Sequence, residues 1–207
     1  MENKMEISKE FTQKFITDTF NLQDTNNRNF VRSFYFWCTD SKLRTTKRLD
    51  KFLAEQLINP DPELVKIANL FAKTEDSDER IIAILKFVNK NVRYEKDVYA
   101  YEKNEYWQSA SDTWKNKVDD CEGINGLIYV LARLSGISQL QLWSCLGDTS
   151  SGYHYYNLYF SFKRDKWFVI DGTYHVDLSP IKDRNMFILN KFYQSVDYIF
   201  NEDYIFT

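Results

Sequence analysis

The hydrophobic period of this chain changes once, at Gly136, and that change narrows the folds open to it. Upstream, apolar residues recur three and four apart, the spacing of a helix that buries one face. Downstream they alternate, the spacing of a half-buried strand. Helices first and strands afterwards describe an α+β fold, not alternating βαβ units around a parallel sheet.

Ile7, Phe11, Phe15, Ile16 and Phe20 share one helical stripe. Residues 26–46 carry the cluster Phe30, Phe34, Tyr35, Phe36 and Trp37, which reads equally as a buried helix or a strand. Residues 48–58 predict a helix stopped by Asn59-Pro60, because a proline disfavours helical geometry in the residue before it. Pro62 restarts a helix at a first-turn position, with Leu64, Ile67, Ala68 and Phe71 as its apolar set. Asp76, Ser77, Asp78 and Glu79 form a helix start, since acidic side chains accept from free N–H groups and suit the positive end of the dipole. Residues 94–117, rich in Tyr, Trp, Ser and Asn, read as a loop. Residues 121–135 predict the clearest helix, with Ile124, Leu127, Ile128, Leu131 and Leu134 as its core face and Gly136 ending it. Leu140, Leu142, Ser144 and Leu146 then alternate with Gln139, Gln141, Trp143 and Cys145. Residues 153–162 and 167–171, separated by Lys163-Arg164-Asp165-Lys166, read as a hairpin, and 186–189 as a further short strand.

A chain of 207 residues can bury one sizeable core, as one domain or one domain with an extension. Hydrophobic residues make up 43% with only 6 Gly and 3 Pro, which excludes a disordered chain. The net charge of −3 leaves no basic excess for phosphates, so nucleic acid is not an expected partner. The basic stretch 42–51 reads as a solvated helix face. The N-terminal residues lack an apolar signal core and no run reaches the length of a membrane helix, so a cytoplasmic chain without a membrane partner is expected. Three cysteines without a C-x-x-C pair argue against zinc ribbons and disulfide scaffolds.

Cys121 stands at the start of the clearest helix, in Val118-Asp119-Asp120-Cys121-Glu122-Gly123. Unpaired N–H groups and the dipole there lower a thiol pKa, and the Cys121 N–H is free to stabilise an oxyanion. The adjacent acids oppose a thiolate, so an imidazolium is needed to offset them. The bland alternative is a small buried hydrophobe, the reading kept for Cys38 and Cys145, which lie in apolar stretches. His154 lies near the start of one hairpin strand and Asp171 at the end of the other. In a hairpin with an even-numbered loop their odd separation puts both on one sheet face, where a carboxylate orients an imidazole. A polar strand residue and a turn former explain the same two residues equally well. His175 has no comparable partner and reads as surface.

Four segments, in order, carry a family resemblance. They are Tyr106-Trp107-Gln108-Ser109 with Ala110 to Trp114, Asp120-Cys121-Glu122-Gly123, the helix end Leu131-Ala132-Arg133-Leu134-Ser135-Gly136-Ile137, and the pair His154-Tyr155-Tyr156-Asn157 and Trp167 to Thr173. Together they resemble the transglutaminase-like superfamily, nearest to bacterial transglutaminase-like cysteine peptidases. The resemblance implies a papain-like α+β core over residues 76–207, with residues 1–75 as a helical N-terminal extension. It makes Cys121 the nucleophile, His154 the general base and Asp171 its orienter, with Trp107 or Gln108 contributing to the oxyanion hole. Some members bind calcium through acids beside the cysteine. Asp120 and Glu122 match that pattern, but Gly123 replaces the next acid, so no metal and no cofactor are expected. Asp119 in place of Gly and Ser138 in place of Pro mark a divergent member. The expected activity is hydrolysis of a peptide or isopeptide bond through a thioester, on a protein or peptide substrate. A transglutaminase joining glutamine to an amine, and a non-catalytic binding or structural protein, are the alternatives. The aromatic N-terminal region is a candidate partner-binding surface, and the Lys-, Asn- and Tyr-rich usage is compatible with a phage-encoded chain.

Overall fold

The computed structural model of the chain describes residues 8–20, 49–102, 106–174 and 192–206. The ambiguous stretch 26–46 with Cys38, His175, and the strand expected at 186–189 lie outside the described residues. The helices are α1 (Lys9–Phe20), α2 (Leu49–Ile58), α3 (Pro62–Phe71), α4 (Ser77–Asn91), α5 (Asp97–Ala100), α6 (Ala110–Asn116) and α7 (Cys121–Leu134). The strands are β1 (Arg93–Tyr94), β2 (Val118–Asp119), β3 (Leu142–Thr149), β4 (Gly152–Ser161), β5 (Lys166–Ile170), β6 (Tyr198–Phe200) and β7 (Ile205–Phe206). Helices precede the sheet, and the fold is α+β as the change of period at Gly136 predicts.

The helix starts have local causes. Asp61 accepts from Glu63 N at 2.8 Å, with Pro62 in the first turn of α3. Asp76 accepts from Asp78 N at 2.8 Å and Glu79 N at 3.2 Å at the start of α4. Gly136, at φ +94°, takes the left-handed conformation that closes α7. The stretch 94–117 departs from the loop reading, since it contains α5 and α6. Ser109 accepts from Asp112 N at 3.2 Å as the cap of α6. Ser109 is therefore a capping residue, and a helix of 7 residues is too short to show a 3.6-residue period.

Helix α7 is the centre of the molecule. Leu127, Ile128, Leu131 and Ala132 are buried between α2, α3, α4 and α6 on one side and β3 and β4 on the other. Each such leucine contributes about 1.5–3 kcal/mol by leaving water. The sheet is antiparallel in the order β5-β4-β3-β6-β7. Alternation splits it into two faces. Leu142, Leu146, Tyr155, Tyr159, Phe168 and Ile170 join the core around α7. Trp143, Cys145, Tyr156, Leu158, Trp167 and Val169 form a second core on the outer face. Helix α1 covers that outer face, with Ile16 buried and Phe15 stacked on Trp167 at 4.9 Å. Leu49, Leu53, Leu64 and Ala68 share the α7 core, so the described part of residues 1–75 packs against residues 76–207. Among the described residues no helix is long and apolar enough to cross a membrane.

Candidate active site

Cys121 is the first residue of α7. The chain is led to it by the short parallel pair β1–β2, in which Tyr94 is registered with Asp119 and Glu95 N donates to Asp119 O at 3.0 Å. Strand β5 ends at Ile170 opposite Asn157, so β4 loses that neighbour over residues 152–156. Helix α7 takes its place. The backbone N–H of Tyr155 donates to the Cys121 sulfur, and one turn further on Asn125 Nδ2 donates to Tyr155 O at 2.8 Å. Positions 121 and 125 share a helix face, so one helix edge satisfies both backbone groups of one strand residue. The sulfur therefore lies one residue along the strand from His154.

The half-buried thiol differs from the low-pKa cysteine that its helix position suggests. Burial pushes it well above its ordinary value, and the negative charges of Glu122 and Asp120 push it further. The Tyr155 N–H pulls the other way. The thiol also donates to Glu122 Oε2 at 3.3 Å. The cap residue Asp120 makes no side-chain cap bond, and its buried Oδ1 has no hydrogen-bond partner. Burial, with the local acids after it, raises the thiol at this helix entry.

His154 and Asp171 are both buried, and His154 Nε2 lies 2.8 Å from Asp171 Oδ2. The register, with Asn157 opposite Ile170, makes them diagonal neighbours on one face, as their odd separation predicts. Asp171 Oδ2 also accepts from Tyr193 OH at 2.8 Å. Its Oδ1 accepts from Thr173 N at 2.9 Å, Thr173 Oγ1 at 2.7 Å and Asn125 Nδ2 at 3.2 Å. Burial alone would raise this carboxyl, but the hydrogen bond and charge of His154, then Thr173, hold it below the usual carboxylate range. Tyr174 stands edge-on to the His154 ring at 4.5 Å. Tyr94 and Tyr174, both partly exposed, lie near enough to Cys121 for its charge to add to burial in raising their phenols. Asn125, Tyr174 and Tyr193 are absent from the sequence reading. Asn125 had one available signal, its place four residues after Cys121. Tyr193 had none, because a long-range contact leaves no local pattern.

Trp107 stands edge-on to Tyr155 at 5.6 Å and to Phe52 at 5.8 Å, beside the strand residue that meets the sulfur. Gln108 is buried and its amide is engaged internally. Its Nε2 donates to Asp119 Oδ2 at 2.9 Å and its Oε1 accepts from Asn116 Nδ2 at 2.7 Å. Asp119 also accepts from Thr113 Oγ1 at 2.6 Å and from Asp120 N at 2.9 Å. Burial raises its carboxyl to about 7, against the lowering effect of Thr113 and the Asp120 N–H.

Among the described residues, two groups have ligand atoms within 4.8 Å of one another: Asp120, Cys121 and Glu122, and Asp97, Asp119 and Asp120. They supply carboxylate oxygens, the donor type calcium takes, but fewer than its six to eight ligands without backbone carbonyls or water. The first group offers a thiol as one of its three donors. In the second, Asp119 already accepts from three donors. The acid that would follow Glu122 is Gly123, and a Cβ there would fall on the Asp119 carboxyl group, 2.6 Å from its Cβ. The side chain of Asp119 fills the space that a residue at 123 would need. Cys145 is fully buried in the outer core and burial pushes its thiol up, as expected of a structural cysteine.

A model of the transglutaminase-like superfamily matches residues 66–172, a little over half the chain. No curated protein matches the sequence. Among solved structures, calcium-bound LapG of Legionella pneumophila aligns with a TM-score of 0.51 at 15% identity, covering 67% of this chain and 71% of that one. EGTA-treated LapG gives 0.51 and 15%, over 67% and 69%. A candidate cysteine protease from Cytophaga hutchinsonii gives 0.44 at 22% identity, over 57% and 39%. The LapG likeness extends to the fold.

Proposed function

This chain belongs to the transglutaminase-like superfamily, and on that premise we propose that it is a cysteine-dependent acyl-transfer enzyme that hydrolyses a peptide or isopeptide bond. The observation that carries this reading is the buried His154–Asp171 pair, set one residue from the strand N–H that meets the Cys121 sulfur. With Nε2 bonded to Asp171, Nδ1 is the ring nitrogen left to take the thiol proton. The thiolate–imidazolium pair then offsets the charges of Asp120 and Glu122, which a lone thiolate does not survive. The sulfur attacks the acyl carbonyl. The Cys121 N–H, at a helix start without an intrahelical acceptor, meets the developing oxyanion, with Trp107 as the neighbouring side-chain candidate. Gln108 acts at one remove, by bracing Asp119. His154 returns its proton to the leaving amine, and water cleaves the thioester. An amine in place of water makes the same site a transglutaminase.

The test is the pH dependence of iodoacetamide labelling at Cys121, with Cys121→Ala and His154→Ala as controls. Labelling at neutral pH should depend on His154, while Cys145 stays unreactive. If His154→Ala leaves the rate of Cys121 unchanged, the acyl-transfer reading is wrong. Release of a cleaved fragment against incorporation of an amine separates hydrolase from transferase.

A further inference from the structure

Tyr193 lies outside the family match and outside the sequence reading, yet it reaches the centre of the site. The route is visible in the backbone. Residues 192–197 run along β3, where Ser150 N donates to Phe192 O at 2.8 Å, Gln194 N to Asp148 O at 2.8 Å and Asp197 N to Leu146 O at 2.8 Å. Gly147, registered with His154, makes this approach possible. A Cβ there would lie 2.8 Å from the Ser195 carbonyl carbon and 2.9 Å from Val196 Cα. The segment lies flat on β3 and delivers Tyr193, 4% exposed, into the outer core against Tyr156 and over Asp171.

We propose that Tyr193 is a positioning residue of the His154–Asp171 pair: its hydroxyl donates to the same Oδ2 that His154 uses, anchoring the carboxylate and moderating its pull on the imidazole. Two donors on one oxygen share its lone pairs, so each weakens the other's bond. The groups around His154 are Asp171 beyond β5, Tyr174 in the turn that follows, Tyr156 on its own strand, Tyr193, and Asp148 beside Gly147 on β3 with its side chain exposed. Cys121 comes from α7. The inference rests on the acyl-transfer reading for its function, while its physical effect on His154 stands by itself.

Tyr193→Phe keeps the ring and removes the hydroxyl. The chain has two histidines, so in a His175→Gln background the imidazole N–H signal of His154 is read alone by proton NMR. In Tyr193→Phe that signal should move downfield, because Oδ2 accepts from one donor where it had two. The onset of Cys121 alkylation should move to lower pH, raising the rate on the acid side about tenfold, the worth of one hydrogen bond to a charged group. Gly147→Ala, which displaces the segment instead of the hydroxyl, should shift the signal the same way. An unmoved or vanished signal in Tyr193→Phe overturns the proposal, as does an alkylation profile unmoved in Tyr193→Phe where His154→Ala changes it. If His154→Ala does not affect Cys121 while Tyr193→Phe still moves the imidazole signal, the acyl-transfer reading has failed and the positioning contact has not.

Discussion

Around Asp171, one buried carboxylate receives four side chains, from His154, Tyr193, Asn125 and Thr173, and the Thr173 N–H besides. At the entry of α7 the balance reverses. Asp120 and Glu122 crowd one thiol, and the buried Oδ1 of Asp120 has no hydrogen-bond partner. The first region spends its hydrogen bonds on holding a negative charge in place. The second holds negative charge against a group that must itself become negative. The difference teaches where the reactivity of Cys121 has to come from. Its own neighbourhood opposes the thiolate, so under the proposed acyl-transfer reading the compensating charge comes from the His154 imidazole on β4. On that reading Cys121 ionises only with its base aligned.

The comparison breaks first at Asp171. Asp171→Ala removes the acceptor that orients His154 and leaves several buried donors unmatched. Cys121 alkylation at neutral pH should fall by about 10²–10³-fold, the range of a general base that loses its orientation. The rate is measured on protein shown to be folded by circular dichroism. A rate within a few-fold of the parent would mean that the two regions work independently.

The sequence made one of these regions far more legible than the other. The odd separation of His154 and Asp171 survives translation into a hairpin, since strand alternation is a two-residue rule and the loop is short. The start of α7 at Cys121 was legible because Ile124, Leu127, Ile128 and Leu131 mark its face. What the sequence hid is contact between distant segments. Asn125 reaching Tyr155 depends on β5 ending opposite Asn157, which leaves residues 152–156 of β4 without that neighbour. Tyr193 reaching Asp171 depends on a bare position at Gly147. Helix position also argued for an acidic thiol at Cys121, and the structure opposes it, because burial and two flanking carboxylates exceed the effect of half a unit charge at a helix end.

Asp119 sharpens the contrast through stability. Its folded value of about 7 lies above its ordinary value of 3.8. Between those values the folded chain keeps a proton that the unfolded chain has lost. The stability this group contributes is therefore full at acid pH and is lost as pH rises through about 7. The span corresponds to about 4 kcal/mol. Denaturant unfolding at pH 5 and pH 8 should show the protein less stable at the higher pH, and Asp119→Asn should flatten the difference. An equal pH dependence in the variant would show that Thr113, Gln108 and the Asp120 N–H stabilise the ionised form outright.

The smallest expected effect isolates the acids beside the thiol. Glu122 is buried, accepts the thiol proton at 3.3 Å and is the nearest charge raising the Cys121 value. Glu122→Gln keeps the size and an acceptor oxygen while deleting the charge. Cys121 should then ionise more readily and label about tenfold faster at neutral pH, equivalent to about one unit of thiol pKa. His154 should matter less in this variant, since less negative charge remains for the imidazolium to offset. The informative measurement is the double-variant cycle with His154→Ala, because contacting groups reveal their coupling as a departure from additivity. If the two changes simply add, the acids and the imidazole do not act on one thiol, and the opposition between the two regions is not what sets its reactivity.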